Sequence, residues 1–108
     1  MATATQFRRI ALALEGTTEA PHFDRTAFKV RRTYATLAAD GKTANLKFSA
    51  DEQLLKCTTA ADVFAPVPGG WGAQGWTTAQ LSTLPMKEVE NALRLACAHA
   101  VQPTRRRR

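Results

Sequence analysis

A chain of 108 residues with 44% hydrophobic and 22% charged content is expected to build one domain around one modest core. No stretch approaches the roughly 20 consecutive apolar residues needed to span a bilayer, so no membrane partner is expected. The formal charge is +6, but four of the 15 basic residues are the terminal Arg105 to Arg108; without them 11 basic residues face 9 acidic ones, a net +2, and nucleic-acid binding does not follow from overall basicity alone.

The N-terminal "MATATQFRRIALALEG" lacks the early charged segment, long apolar run and small-residue cleavage site of a signal peptide, which predicts a cytoplasmic protein. Phe7, Ile10, Ala11 and Leu14 recur at helical spacing and predict a first helix over Thr5 to Leu14, closed by Gly16 at a left-handed cap position. A short strand is expected around Glu19 to Phe23, with Pro21 confining it to a sheet edge. Ala27 to Arg31 alternates, Phe28 and Val30 inward and Lys29 and Arg31 outward. Asp40-Gly41 predicts a hairpin with a type I′ turn, in which both central residues take positive φ. That turn sets a register in which Leu37 faces Ala44, Ala35 faces Leu46 and Thr33 faces Phe48 on an apolar face. Tyr34 opposite Lys47 and Thr36 opposite Asn45 then make the polar face.

Ser49 followed by Glu52 is a capping-box pattern and opens a second helix, with Leu54 and Leu55 expected inward, and Val63 and Phe64 as further candidates. "APVPGG" breaks it, because proline has no N–H to donate and glycine resists ordering. Trp76 to Leu81 reads as a last strand, with Trp76, Thr78 and Gln80 on one face. Pro85 starts a third helix whose core stripe is Met86, Val89, Leu93, Ala96, Cys97 and Ala100. Residues 1–103 form the expected domain and 104–108 an expected disordered basic tail. The order α-β-β-β-β-α-β-α, with one-sided helices and a half-polar hairpin, predicts a two-layer α+β fold: an antiparallel sheet with helices packed on one face.

Cys57 and Cys97 lie far apart with no CxxC pattern, and both fall in apolar helical stretches, as reduced structural thiols do. A structural zinc site needs about four ligands at characteristic spacing; Cys57, Cys97, His22 and His99 are scattered, so neither a metal nor another cofactor is expected. His22 and Asp24 are close in sequence, but no nucleophile is placed beside them.

Taken together, Glu19-x-x-His22-Phe23, Ala27-Phe28-Lys29-Val30, the Asp40-Gly41 hairpin, Asn45-Leu46-Lys47-Phe48 and Trp71-Gly-x-x-Gly-Trp76-Thr77 strongly resemble the MmcQ/YjbR family of small bacterial proteins. The resemblance runs from about Phe7 to Ala100. It implies an α+β fold like that of CyaY-like proteins and type III secretion chaperones. It also implies a non-enzymatic DNA-binding role through a double-wing surface, with no cofactor. The arginine tail is not part of the family pattern.

The residues offer three surfaces. Lys29, Arg31, Tyr34, Asn45 and Lys47, on outward positions of three strands, would set cations and one aromatic on a plane able to meet phosphates; the bland alternative is a solvated sheet face. Trp71, joined by Arg105, Arg106, Arg107 and Arg108 of the tail, extends this DNA-binding set. A protein-interaction or chaperone-like module is the second reading. A small-ligand pocket near His22, Trp71 and Trp76 is the third, set against the alternative that both tryptophans staple a glycine-rich loop to the core.

Overall fold

The computed structural model describes residues 2–102. The tail arginines Arg105 to Arg108 and the expected domain boundary at 103 lie outside the described residues. The chain order is α1 (Ala4–Ala13), β1 (Thr18–His22), β2 (Arg25–Lys29), β3 (Thr33–Ala38), β4 (Thr43–Lys47), α2 (Ala50–Thr59), β5 (Phe64–Pro66), α3 (Gly70–Ala73), β6 (Trp76–Gln80) and α4 (Met86–Val101). The strands form one antiparallel sheet in the order β1-β2-β3-β4-β6-β5. Helices α1 and α4 cover one face, where Phe7, Ala11, Phe28, Ala35, Leu46, Phe48, Val89, Leu93 and Ala96 build the core. The fold is the expected two-layer α+β arrangement, with β1, carrying Pro21, at an edge. β5 and α3 are additions: the three-residue strand and the single helical turn fall in the proline- and glycine-rich stretch that the sequence reads as a break.

Local chemistry accounts for the element ends. Thr3 and Gln6 form a capping box at α1, and Ser49 and Glu52 form the expected one at α2. Arg8 on α1 donates to Glu19 on β1 through Nε at 2.8 Å. That hydrogen bond holds the Glu19 carboxyl below the usual carboxylate range and ties the edge strand to the helical layer. Arg32 donates to the carbonyls of His99 and Gln102, which places a cation at the negative end of the α4 dipole.

The β3–β4 ladder has the expected register, pairing Ala35 with Leu46, Thr36 with Asn45 and Leu37 with Ala44. Its turn differs from the expected type I′. Gly41 donates to the carbonyl of Ala38 at 2.9 Å, so Ala39 and Asp40 are the central residues, and only Gly41 takes positive φ (72°). The Asp40 carboxylate accepts from the Lys42 N–H at 2.9 Å, a local bond that holds Asp40 in the turn without a left-handed backbone. β2 also differs from the alternating segment expected over Ala27 to Arg31. It starts two residues earlier and ends at Lys29, which leaves Val30 to Arg32 in a bend.

Tyr34 corrects the expected polar face. The β2–β3 register shifts between Phe28, opposite Ala35, and Lys29, opposite Thr33, so Tyr34 is an extra residue on β3. A bulge breaks strict alternation, and Tyr34 turns to the helical side with Ala35. It is fully buried; its hydroxyl lies 2.9 Å from the Thr17 hydroxyl and 3.3 Å from the Ala11 carbonyl, to which it donates. Burial pushes the Tyr34 hydroxyl up to about 12, with the Thr17 contact opposing part of that rise. An unfolded chain releases the proton near pH 10 (about the model-peptide value), so the unfolded state binds fewer protons between about pH 10 and 12. The contribution is complete below about pH 10 and declines as pH rises toward 12. Chemical denaturation across this window should show Tyr34 accounting for about 2–3 kcal/mol of alkaline loss, from roughly 1.4 kcal/mol per pH unit. Tyr34→Phe should lack that share, and an identical alkaline profile in the variant would refute the assignment.

Helix α2 departs from the expected stripe as well. Leu54 and Leu55 are 68% and 62% exposed, while Lys56 is buried. The Lys56 ammonium sits 3.3 Å from Glu88 of α4 and 5.9 and 5.4 Å from the ring centroids of Phe48 and Phe64. An aliphatic stem with an ion pair and two aromatic faces at its tip fills the place predicted for a leucine. Val63 and Phe64 are buried beyond the helix end, and Met86 is partly exposed rather than core.

Candidate functional site

The sheet face opposite α1 and α4 carries the site. Ala27, Thr36, Asn45, Thr78 and Ala65 lie opposite one another across five strands. Arg25 shares that face of β2, being two residues from Ala27. The two-residue turn Phe23-Asp24 brings His22 opposite Arg25. Phe23 is the one described non-glycine residue with positive φ (58°). Its ring is 94% exposed and meets His22 edge-on at 4.9 Å. A bulky aromatic held in a left-handed conformation at an exposed hairpin tip is costly for folding and is a feature associated with functional sites.

The glycine-rich stretch closes the other side. Gly72 lies so near β5 that a Cβ there would stand 1.9 Å from the Val67 carbonyl oxygen. At Gly75, with φ of 106°, a Cβ would stand 2.0 Å from the Phe48 oxygen. Gln53 of α2 donates to the carbonyls of Gly72 (2.9 Å) and Trp76 (3.1 Å). These contacts fix α3 against the sheet margin and set Trp71 above it. The two indoles meet edge-on at 6.5 Å; Trp76 is half-buried, while Trp71 is 62% exposed. The tryptophans therefore differ in role: Trp76 is a wall of the sheet face and Trp71 a projecting ring.

Between hairpin and loop lies a cleft of about 180 Å³ lined by His22, Arg25, Thr36, Asn45, Val67, Trp71 and Trp76. Arg25 donates to the Thr36 hydroxyl through Nε at 2.8 Å and to the Thr36 carbonyl through Nη2 at 3.4 Å. The Thr78 hydroxyl donates to Asn45 Oδ1 at 2.8 Å, and among the described residues the Asn45 amide N–H groups have no hydrogen-bond partner. No carboxylate lines the cleft, and among the described residues none forms an ion pair with Arg25.

The structure thus brings Asn45, Trp71, Trp76 and His22 into one place. Lys47 stands opposite Trp76 in the β4–β6 register. Lys29, at the end of β2, and Arg31, in the bend after it, are exposed but do not line the cleft. Tyr34 belongs to the opposite face. Arg25, Thr36 and Val67 complete the lining, and Phe23 lies outside it, against His22. Arg25 was legible once a two-residue Phe23-Asp24 turn is drawn, because alternation then places it with Ala27 and Lys29; the nonglycine turn residue conceals that turn. The thiols of Cys57 and Cys97 are both pushed up by burial, which disfavours the nucleophilic thiolate. Among the described residues no cluster of three or more His, Cys, Asp or Glu could hold a metal ion, and no helix is long and apolar enough to cross a membrane.

A six-stranded antiparallel sheet with helices on one face and an open, aromatic, carboxylate-free cleft on the other defines an α+β protein with one free sheet surface. The chain belongs to the YjbR family, whose family model matches residues 12–96. Among solved structures it is similar to the crystal structure of Deinococcus radiodurans protein DR2400, which carries a DUF419 domain. The TM-score is 0.76 at 23% identity, covering 89% of this chain and 76% of that one. That likeness establishes the fold. No curated protein matches the chain at a significant level.

Proposed function

We propose that this protein binds DNA along its open sheet face and acts without catalysing a reaction. The observation that carries the reading is the face itself: helices leave it free, an exposed indole projects over it, Arg25 lies in its cleft, and Lys47 lies beside it. Lys29 and Arg31 extend the cationic margin. Cations on an open surface displace counterions from phosphates, and that release is the main source of affinity for a nucleic-acid backbone. A non-enzymatic role is favoured because His22 has, among the described residues, neither a carboxylate to orient it nor a nucleophile bonded to it. A protein-interaction role is the second reading. What favours it is the pair of exposed leucines, Leu54 and Leu55, and it expects a protein that ignores DNA.

The test is the salt dependence of duplex binding, followed by fluorescence anisotropy, in the full chain and in a Lys29→Ala, Arg31→Ala, Lys47→Ala variant. Each lost phosphate contact lowers the log–log slope by about 0.9, so the triple variant should lose about 2–3 units. An unchanged slope, both in this variant and with Arg25→Ala added, would assign the binding to cations elsewhere in the chain and defeat the sheet-face reading.

A further inference from the structure

We infer that the cleft between Trp71 and His22 receives one unpaired nucleobase of a single-stranded segment; this rests on the nucleic-acid reading above and narrows it. Size comes first. At about 180 Å³ the cleft is below the roughly 300–1,000 Å³ of pockets that enclose whole small molecules, and suits one ring system. Its walls are flat and apolar where they are aromatic: Trp71 and Trp76 meet edge-on at an interplanar angle of 74°, and Trp71 keeps 62% of its surface exposed. The Phe23 ring beside His22 adds an exposed aromatic at the opposite lip.

Polarity selects the ring. The polar groups at the cleft are the Arg25 guanidinium, the Asn45 amide N–H groups, the Thr36 hydroxyl and the His22 imidazole, with no carboxylate among them. Arg25 is held by its two bonds to Thr36, so its remaining N–H groups are directed by the sheet rather than by solvent. Such donors fit the carbonyl and ring-nitrogen acceptors of a base edge, and a phosphate next to it. A base stacked in a duplex offers only its edge, and its face becomes available to an indole only when it is unpaired. The cleft therefore distinguishes strand from duplex, whereas Lys29, Arg31 and Lys47 around it serve either.

The experiment titrates the full chain with an oligothymidylate of about ten nucleotides, with the same sequence as a duplex, and with thymidine monophosphate. Intrinsic tryptophan fluorescence and anisotropy are both read. The strand should bind more tightly than the duplex and quench the indole emission. Trp71→Ala should weaken strand binding by roughly 5- to 150-fold, weaken duplex binding much less, and retain the circular dichroism spectrum; Trp71→Phe should recover most of the loss. Equal binding of strand and duplex, with Trp71→Ala silent on both, would overturn the cleft assignment and leave the DNA-binding reading standing. Quenching by the monophosphate at the concentrations effective for the strand would overturn the strand as the source of the base. Binding of neither strand nor duplex at low salt would overturn both proposals.

Discussion

Gly75→Ala is expected to destabilise the domain by about 3–6 kcal/mol, combining a strained left-handed backbone with overpacking against fixed atoms. The residue takes φ of 106°, and the atom that a Cβ would strike, at 2.0 Å, is the carbonyl oxygen of Phe48. That carbonyl cannot swing away as a side chain can. It belongs to the residue whose own N–H donates to the Gly75 carbonyl at 3.0 Å. The two residues form the junction where β4 and β6 begin their ladder, one step before Lys47 meets Trp76. Gly69 makes the comparison: its φ is also positive (79°), but nothing lies within 4 Å of a Cβ there. Gly69→Ala should therefore show only the conformational part, about 1–3 kcal/mol. Urea denaturation of the two variants checks the difference, and equal losses would mean that the backbone approach at Gly75 is not what requires glycine.

The parts legible in the sequence are those governed by periodicity and local chemistry. The β3–β4 register followed from one Asp-Gly pair because a single residue of slip would have exchanged Ala35, Leu37, Ala44 and Leu46 with Thr36 and Asn45. The capping box at Ser49 and the stripe of α4 were local in the same way. Tyr34 was not legible, because a bulge leaves no mark on a strand's composition; only the Ala11 carbonyl and Thr17 explain why the ring belongs inside. Leu54, Leu55 and Lys56 misled for a related reason. Apolar residues at helical spacing state that a helix has an apolar side, but the partner surface decides its use, and here Glu88, Phe48 and Phe64 select the lysine. The cleft was half legible. Trp71, Trp76, His22 and Asn45 stood out as residue types, whereas Arg25 and Phe23 depended on a hairpin whose turn contains no glycine. The four clustered glycines divided by function in a way only distance reveals: Gly72 and Gly75 admit backbone, and Gly69 and Gly70 meet open space.

Phe48→Ala should lower stability by about 3–5 kcal/mol, the range for deleting a large buried ring, which is a large part of the roughly 5–15 kcal/mol that holds a domain of this size together. Phe48 is fully buried and meets Phe64 edge-on at 6.2 Å. Its ring also faces the Lys56 ammonium at 5.9 Å, so truncation removes packing from β5 and one aromatic partner from a buried cation. Phe48→Leu separates these effects. It restores most of the volume but not the π face, and should retain more than half of the stability that alanine loses, with a residual deficit of about 1–2 kcal/mol from imperfect packing and the lost cation–π contact. Lys56→Met in the same background then reads the cation directly. If the deficit of Phe48→Leu comes from Lys56, replacing the ammonium with an apolar side chain of similar length should shrink it, because the methionine has no charge to compensate. Thermal denaturation of the single and double variants gives the coupling. An additive result would mean that Phe48 supports the sheet margin through its contact with Phe64 alone, and that Lys56 is held by Glu88 without help from the ring.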